Sequence, residues 1–395
     1  MHRRSFASEG TLPKATRRAR KRVRGNAEAW VSTLYKCCEM KMKGVNRRDF
    51  LMATTAAALT PVSAFARKPE EIRAMLFHWG YCMWGEWLPE GVKELSGSHS
   101  GACNSRVKFS DEVWNSYVDR MVARKMNLVV VDLGEFPVYP SHPELAIPGS
   151  RSPDWILKEV RRLKSLGLEP IPKLNFSAAH DAWLKEYSHM LTTKKYREVC
   201  RDVIRDAYEM FDHPRFMHIG YDEELTKYQN GFICVRTGGI WWNDFLFFVK
   251  TVEDLGMRPW MWSDYGWHHG DFVVKCPKSV IHNNWYYDGA MLGFDMDKMK
   301  RDAPSWKTLN LFLELDKAGF DQVPCSSNWV SRARCAAGVT TNDEAMKNMV
   351  DFCRAHLSPE HLKGFLMAPW GNSEDTGAHQ KRLLDSIDQL ADAMG

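Results

Sequence analysis

Several patterns that would place a chain in a common class are absent from this sequence. No Gly-x-Gly-x-x-Gly or phosphate-loop pattern follows any predicted strand, which argues against a doubly wound nucleotide-binding sheet. The ten cysteines include no Cys-x-x-Cys pair. The spacing therefore supports neither a zinc ribbon nor a disulfide framework, and we expect free cysteines that are buried as small hydrophobic residues. No His-x-His follows the first predicted strand, so we expect no bound metal and no cofactor.

A strong positive charge is also missing once the first part of the chain is set aside. The whole chain has a net charge of +5, but residues 1–66 hold 14 of its 54 Lys and Arg residues and only 4 of its 49 Asp and Glu residues. The rest of the chain therefore carries 40 basic and 45 acidic residues, a net charge near −5. The basic character belongs to the leader, and we expect no nucleic-acid partner.

The N-terminal region has the order of features that is typical of a twin-arginine signal peptide. Residues Asn46–Met52 contain paired arginines, Ala53–Val62 is a short apolar run, and Ala64–Ala66 is an Ala-x-Ala type of cleavage site. The apolar run is too short to span a bilayer permanently, so we expect no stable membrane insertion after signal removal. The alternative interpretation of the run is an Ala-rich buried helix.

These features divide the chain into three predicted segments. Residues 40–66 are the predicted signal peptide, and residues 67–395 are a catalytic domain that is expected in the periplasm or secreted. Residues 1–39 are basic and show no apolar period. We predict that they are a non-native or disordered extension, with the natural start at Met40 or Met42.

Short apolar runs alternate with amphipathic stretches from residue 70 onward. The runs are nearly continuous, as expected of strands that are buried on both faces. Helix-start signals stand between them at Ser110, at Ser152-Pro153 and in a capping box at Thr341-x-x-Glu344. Eight strands that alternate with helices predict an α/β fold, a single (β/α)8 TIM barrel. The predicted strands are Arg73–Tyr81, Met126–Leu133, Leu168–Phe176, Arg215–Asp222, Met257–Asp264, Ser279–Tyr286, Phe320–Ser326 and Gly364–Trp370.

Polar and aromatic residues follow the predicted strand ends, where the active sites of such barrels lie. Sixteen tryptophans is a high number, and flat aromatic faces suit the C–H faces of sugar rings while carboxylates and amides bind the hydroxyl groups. For any single tryptophan, barrel core is an equal alternative, but clustering at one rim favours a carbohydrate site. The candidate substrate-binding residues are His218, Asp132, Asn175, His180, Trp262, Asp264, Trp285, Tyr287, Trp370 and Glu374.

Two adjacent carboxylates at the end of the fourth predicted strand are the strongest catalytic candidates. Two acids that are held close together cannot both ionise easily, so one is shifted toward its protonated form. Glycosidic cleavage uses such a pair, because one acid protonates the leaving oxygen while the other stabilises the developing positive charge. Asp222 and Glu223 fit this description, with Glu223 as the acid. A charge pair at a helix start is the alternative.

The segment around this pair resembles a family motif. His218–Glu223 reads His-Ile-Gly-Tyr-Asp-Glu, which is similar to the His-x-Gly-x-Asp-Glu motif of the family 20 glycoside hydrolases, the β-N-acetylhexosaminidases. The likeness covers residues 110–375. Its less specific parts are Val118–Met121 with Lys125–Asn127, Leu168–Asn175 with His180, Trp260–Asp264, Tyr286–Asp288, and Trp370 with Glu374.

The resemblance implies a retaining, substrate-assisted mechanism. In that family the 2-acetamido oxygen of the substrate is the nucleophile, so Asp222 would orient this group and Glu223 would act as general acid and then as base. The family's strand 1 arginine, which holds sugar hydroxyls, has no counterpart in Leu76–Tyr81. The identity of the sugar therefore stays open.

Two further functions remain as alternatives to an exported glycoside hydrolase that cleaves terminal sugars. One is a barrel that binds carbohydrate without cleaving it. The other is a metal-dependent hydrolase that uses His78, His218, Asp222 and the His268-His269 pair, although no ligand spacing favours it.

Overall fold

The computed structural model describes residues 71–84, 87, 106–226, 234–287, 300–301, 303–330, 341–374 and 377–395. The extension predicted over residues 1–39 and the signal peptide predicted over residues 40–66 lie outside the described residues. Among the described helices, none is both long enough and apolar enough to cross a membrane.

The described part of the chain contains eight strands, each followed by one α-helix. The strands are β1 (Ile72–His78), β2 (Leu128–Asp132), β3 (Glu169–Lys173), β4 (Phe216–His218), β5 (Arg258–Trp262), β6 (Ile281–Asn283), β7 (Cys325–Ser326) and β8 (Gly364–Met367). The helices are α1 (Asp111–Ala123), α2 (Pro153–Ser165), α3 (Lys194–Met210), α4 (Gly238–Glu253), α5 (Phe272–Lys275), α6 (Pro304–Lys317), α7 (Ala345–His356) and α8 (Ala378–Met394).

The strands are parallel and pair in the order β6-β5-β4-β3-β2-β1-β8-β7, and the two end strands also meet. His282 forms a single parallel bridge with Gln322. Val323 N donates to His282 O at 2.9 Å, and Cys325 N donates to Asn284 O at 2.9 Å. These bonds bring the two edges of the sheet together, and the predicted single (β/α)8 barrel is confirmed.

All eight strands are shorter than predicted, and a local reason is visible for β4 and β7. β4 ends at His218 because Gly220 and Tyr221 adopt φ values of 68° and 75°, which lie outside the β region. β7 retains only its last two residues, and Pro324 before it has no N–H group to donate to the ladder.

Two of the three predicted helix caps are present. Ser110 and Ser152 each accept a hydrogen bond at 3.3 Å from the N–H group three residues on, as N-cap side chains do. The capping box predicted at Thr341–Glu344 is wrong, because α7 begins at Ala345 without a side-chain cap. The amide of Asn342 instead donates to a carbonyl of the loop after β7 at 2.9 Å, which ties the start of this helix to the neighbouring strand.

Alternate residues of each strand face the inside of the barrel. Apolar side chains fill the half of the barrel near the strand starts and end on β1 at Leu76, and His78 is the next inward residue. The strand register places His78 beside Asp132, Asp132 beside Lys173, and Lys173 beside His218. We call these four buried residues the polar layer. These side chains lie between the apolar interior of the barrel and the carboxyl ends of the strands.

One cysteine differs from the expectation of free thiols. Cys82, which follows β1, is disulfide-bonded. The lack of a Cys-x-x-Cys pair excludes a ribbon but does not exclude an isolated bridge. The thiols of Cys200, Cys276, Cys325 and Cys353 are free and buried.

Candidate active site

Loops at the carboxyl ends of β3, β4 and β5 bring five of the predicted site residues into contact. Asn175 Nδ2 donates to Asp222 Oδ1 at 2.8 Å. His180 Nε2 lies 3.1 Å from Glu223 Oε2 and 3.7 Å from Asp222 Oδ2. The backbone N–H of Glu223 donates to Asp264 Oδ2 at 2.9 Å. We call Asp222, Glu223 and Asp264 the carboxylate cluster. His180 is the basic residue beside this cluster.

The chain after β4 adopts a conformation that most residues avoid. Gly220, Tyr221 and Glu223 have φ values of 68°, 75° and 56°. A Cβ atom on Gly220 would lie 2.2 Å from Asn175 Oδ1, so this position needs glycine for space as well as for conformation. Asn175 Oδ1 also accepts the N–H of Tyr221 at 3.1 Å. The side chain that binds Asp222 therefore also fixes the turn, and left-handed residues of this kind concentrate at functional sites.

Burial and the mutual repulsion of the acids determine the protonation of the carboxylate cluster. Burial raises the pKa of Asp222 and raises that of Asp264 well above its usual range, with the charge on Asp222 adding to the second shift. Burial by itself would lower the pKa of His180, but Asp222 and Glu223 outweigh it and raise that pKa to about 9. At neutral pH His180 therefore carries a proton next to Glu223, and the raised pKa of Asp264 favours its neutral form.

Four aromatic side chains from β5, β6 and β8 line the mouth of the barrel. Trp370 lies 5.7 Å from Trp262 and 6.4 Å from Tyr287 between ring centroids, and Tyr287 stacks on Trp285 at 4.9 Å. Trp262 is buried, whereas the other three rings are partly exposed. Burial raises the pKa of the Tyr287 phenol well above its usual range, and the charges of Asp222 and Glu223 add to this shift, which places Tyr287 near these two acids. We call these four rings the aromatic wall.

Asp132 and His218, both predicted to bind substrate, belong to the polar layer and have no exposed surface. Asp132 is paired with Lys173 Nζ and lies 3.4 Å from His78 Nδ1. Burial would raise the pKa of Asp132, but Lys173 and His78 outweigh it and lower that pKa. His218 Nδ1 accepts the N–H of Gly220 at 3.0 Å. Both side chains lie on the side of the site that faces the apolar interior of the barrel. Their contact with substrate stays a prediction.

Glu374, another predicted substrate-binding residue, is engaged by an arginine. Its two carboxylate oxygens accept hydrogen bonds from Arg106 Nη1 and Nη2 at 2.7 Å each. The Arg106 side chain is 59% exposed, so the pair contributes little to stability. A sugar hydroxyl would have to share Glu374 with this guanidinium, and the binding role of Glu374 stays a prediction.

His180, Asp222 and Glu223 also have the donor atoms for a divalent metal, since one ligand atom of each lies within 4.8 Å of the others. The proton on His180 opposes this use, because a metal-binding imidazole must be neutral. His78 and His218, the further ligands of the metal hypothesis, belong to the polar layer. The arrangement therefore favours acid–base chemistry at the cluster.

Three residues that support the site were not predicted. Lys173 ends β3 and pairs with Asp132. Glu224 is buried and pairs with the equally buried Arg236. The sequence did contain a signal for two of them: Lys173 ends an apolar strand, and Glu224 is the third of three consecutive acids. No local pattern marks Arg236.

Comparisons with known proteins identify the fold. No protein-family model matches the chain, and no curated protein matches it in sequence. The GH20 β-N-acetylhexosaminidase from Streptomyces coelicolor A3(2) matches its structure with a TM-score of 0.53 at 13% identity, over 82% of this chain and 65% of that chain. The GH20 exo β-N-acetylglucosaminidase from Vibrio harveyi, in complex with N-acetylglucosamine, matches with a TM-score of 0.52 at 12% identity, over 82% of this chain and 54% of that chain.

A mutant Streptomyces plicatus β-hexosaminidase in complex with its product GlcNAc also matches, with a TM-score of 0.53 at 13% identity, over 82% of this chain and 64% of that chain. The chain thus spans between about half and two thirds of the length of these three structures. The class that the fold and site define is a (β/α)8 barrel with an acidic, aromatic-lined mouth. More particularly, the barrel is similar to that of the family 20 β-N-acetylhexosaminidases.

Proposed function

We propose that the chain is an exported glycoside hydrolase that cleaves terminal N-acetylhexosamine residues with retention of configuration. The observation that carries the proposal is the carboxylate cluster, in which Asn175 binds Asp222 and His180 faces Glu223. The aromatic wall beside the cluster provides the surface on which a sugar ring can pack. The likeness of the barrel to family 20 hexosaminidases supports the same substrate class.

Glu223 is the proposed general acid and base. Its Oε2 shares a hydrogen bond of 3.1 Å with His180 Nε2, so the proton that the leaving oxygen requires is held at this contact. The Glu223 side chain is 21% exposed and the Asp222 side chain 14%, so both can be reached by a bound sugar. After the leaving group departs, the Glu223 carboxylate takes a proton from the attacking water.

Asp222 is proposed to orient the 2-acetamido group of the substrate. Asn175 occupies Asp222 Oδ1, so Oδ2 is the oxygen that would accept the acetamido N–H. The acetamido oxygen then attacks the anomeric carbon as the glycosidic bond breaks, and Glu223 protonates the leaving oxygen. Water opens the resulting oxazoline ring, with Glu223 as the base, and restores the acetamido group.

Participation of the acetamido group accounts for retention. Its oxygen displaces the leaving group and water then displaces that oxygen, so the anomeric carbon is inverted twice. Asp222 and Glu223 lie close enough to act on one sugar residue, since one oxygen of Asp222 lies within 4.8 Å of one oxygen of Glu223.

Export is proposed from the paired arginines, apolar run and cleavage site of residues 46–66. The disulfide bond of Cys82 supports it, because disulfides persist in oxidising compartments such as the periplasm.

The substitution Glu223→Gln tests the catalytic part of the proposal. The wild-type protein would be assayed with aryl β-N-acetylglucosaminides, β-glucosides and β-galactosides. We expect cleavage of the N-acetylglucosaminide alone, and we expect Glu223→Gln to lower kcat/KM about 10²- to 10⁴-fold because the proton donor is lost. The matched control is Glu209→Gln, which changes an exposed acid at the end of α3 and should leave activity unchanged.

The outcomes separate the alternatives. Undiminished activity in Glu223→Gln would show that Glu223 is not the acid. Equal cleavage of plain glucosides would contradict participation of the acetamido group. Binding of chitooligosaccharides without any hydrolysis would favour the non-catalytic carbohydrate-binding barrel.

A further inference from the structure

Glu224 follows the proposed catalytic pair but directs its carboxylate into the protein. The residue is 7% exposed, and its oxygens accept hydrogen bonds from Arg236 N at 3.3 Å and Arg236 Nε at 3.2 Å, with a further contact to Arg236 Nη2. Glu224 Oε1 also accepts the N–H of Ala178 at 2.8 Å. The carboxylate therefore joins the loop after β4 to the loop after β3, whose Asn175 and His180 bind the catalytic pair.

Arg236 contacts the turn on both sides of the catalytic pair. The residue is 2% exposed, and its guanidinium carbon lies 4.6 Å from the centroid of the Tyr221 ring, a cation–π contact. The same guanidinium binds Glu224, and its Nη2 donates to Phe176 O at 2.7 Å. One side chain therefore touches the residue before the pair, the residue after the pair and the neighbouring loop.

The turn between these contacts needs a restraint. Tyr221 and Glu223 have φ values of 75° and 56°, which residues other than glycine rarely adopt and which persist only where surrounding contacts enforce them. Relaxation of either residue would move the carboxylates of the pair relative to Asn175 and His180.

The charges around Arg236 are balanced. Asp244 on α4 accepts from Arg236 Nη1 at 3.5 Å and from Arg197 Nε on α3 at 2.8 Å. Two guanidinium groups thus face the two carboxylates of Glu224 and Asp244. Burial raises the pKa of the nearby Asp181 to about 8, which favours its neutral form at pH 7. Because a buried arginine–glutamate pair can often be replaced by apolar residues without loss of stability, its role in positioning can be separated from its role in folding.

We propose that Arg236 is a positioning residue for the catalytic pair. It holds the left-handed turn through Tyr221 and Glu224 and fastens that turn to the loop after β3. The kinetic consequence rests on the proposed function, whereas the structural consequence does not depend on any activity.

Hydrogen–deuterium exchange of the double variant Arg236→Met/Glu224→Met tests the structural consequence on the full chain. Because both charges of the pair are removed together, neither remains as an unpaired buried charge. We therefore expect a melting temperature close to that of the wild type. Peptides that cover residues 174–181 and 216–226 should exchange faster than in the wild type, while peptides from β1 and β8 should not change. Wild-type exchange in both site peptides would overturn the proposal, whether or not the chain cleaves hexosaminides.

Kinetics of Arg236→Lys test the functional consequence on the substrate that the wild type cleaves. Lysine keeps the charge but has no planar fork with which to bind Glu224 and Phe176 O together. We expect kcat to fall about 100-fold with KM nearly constant, because a displacement of catalytic groups by about 1 Å has an effect of that size. The basic limb of the pH–rate profile should move as well, since the contact between Glu223 and His180 changes.

The matched control is Arg258→Lys. Arg258 pairs with Asp321 at 2.6 Å and lies at the start of β5, away from the active site at the carboxyl ends of the strands. This variant should retain the wild-type kcat and pH profile. Wild-type kcat in Arg236→Lys would overturn the proposal. An equal fall in kcat for both lysine variants would also overturn it, because the effect would then belong to the barrel in general.

Discussion

The polar layer and the carboxylate cluster both bury acids in the upper half of the barrel, but with opposite electrostatic results. In the polar layer, Lys173 and His78 outweigh burial and lower the pKa of Asp132. In the cluster, burial raises the pKa of Asp222 and that of Asp264. The neighbouring charges make the difference: Lys173 brings a positive charge to Asp132, whereas the acids of the cluster repel one another and add to the effect of burial. The first setting is suited to structure and the second to proton transfer.

The two settings also predict opposite dependences of stability on pH. The pKa of Asp132 is depressed in the folded state, so its contribution is present above the unfolded value of about 3.8 and is lost as the pH falls. The pKa of His180 is raised to about 9, so its contribution is complete below the unfolded value of about 6.5 and is lost as the pH rises through about 9. The raised pKa of Asp264 acts in the same direction as that of His180.

The largest expected effect comes from removing the lysine of the polar layer. Lys173→Met removes the lysine from Asp132, and both side chains of this pair are at most 1% exposed. The buried carboxylate then keeps His78 at 3.4 Å, an imidazole whose pKa is lowered by burial. We expect the free energy of unfolding at pH 7 to fall by about 3–5 kcal/mol, as it does when one partner of a buried ion pair is removed. Urea unfolding followed by circular dichroism measures this change.

Two controls sharpen this prediction. The double variant Lys173→Met/Asp132→Asn removes the orphaned charge and should recover a large part of the loss. Lys381→Met breaks an exposed helical pair with Asp385 and should change the free energy by less than about 1 kcal/mol. A Lys173→Met protein as stable as the wild type would show that the layer is solvated and that the contrast between the two settings is wrong.

The next effect concerns His180 and the alkaline side of the stability curve. A shift of its pKa from 6.5 to about 9 corresponds to about 3 kcal/mol of stability that is lost between these two pH values. In His180→Gln this part of the pH dependence should disappear, so the free energy of unfolding should fall less steeply above pH 6.5 than in the wild type. The exposed His213 at the end of α3 provides the control His213→Gln, which should keep the wild-type slope.

The fold was predictable because each barrel strand carries its own local signal, an apolar run with helix-start residues behind it. The strand ends also predicted which side chains meet at the mouth, since parallel strands deliver their last residues to one rim. Asn175, His180, Asp222, Glu223 and Asp264 were all found in this way.

Contacts between residues far apart in sequence were not predictable. The pairing of Lys173 with Asp132 depends on the register of β2 against β3, which neither strand encodes alone. Arg106 binds Glu374, 268 positions further along the chain. Arg236 contacts the ring of Tyr221, although the two residues are not neighbours in sequence. Charged residues of this kind carry no periodicity, so their partners become visible only in the folded structure.

The smallest expected effect belongs to Asp264→Asn, and it distinguishes a neutral acid from a charged one. Asp264 Oδ2 accepts the backbone N–H of Glu223, and an asparagine oxygen can accept the same bond. The raised pKa of Asp264 favours its neutral form, with which asparagine is nearly isosteric, so at pH 4, close to the unfolded pKa of about 3.8, the free energy of unfolding should change by less than about 1 kcal/mol. Asp264→Ala leaves the Glu223 N–H without its acceptor and should cost about 1–3 kcal/mol.

The comparison of these two variants is most informative at two pH values. Because asparagine does not titrate, Asp264→Asn should become more stable than the wild type as the pH is raised from 4 to 7, since above the unfolded pKa of about 3.8 only the wild type must bind a proton on folding. Asp264→Ala should stay below Asp264→Asn at both pH values. A loss at pH 7 as large in Asp264→Asn as in Asp264→Ala would mean that the carboxylate is charged and helps to hold the proton on His180. The pKa of His180, measured by NMR titration of its ring, would then fall in Asp264→Asn, and the cluster would resemble the polar layer more closely than its burial suggests.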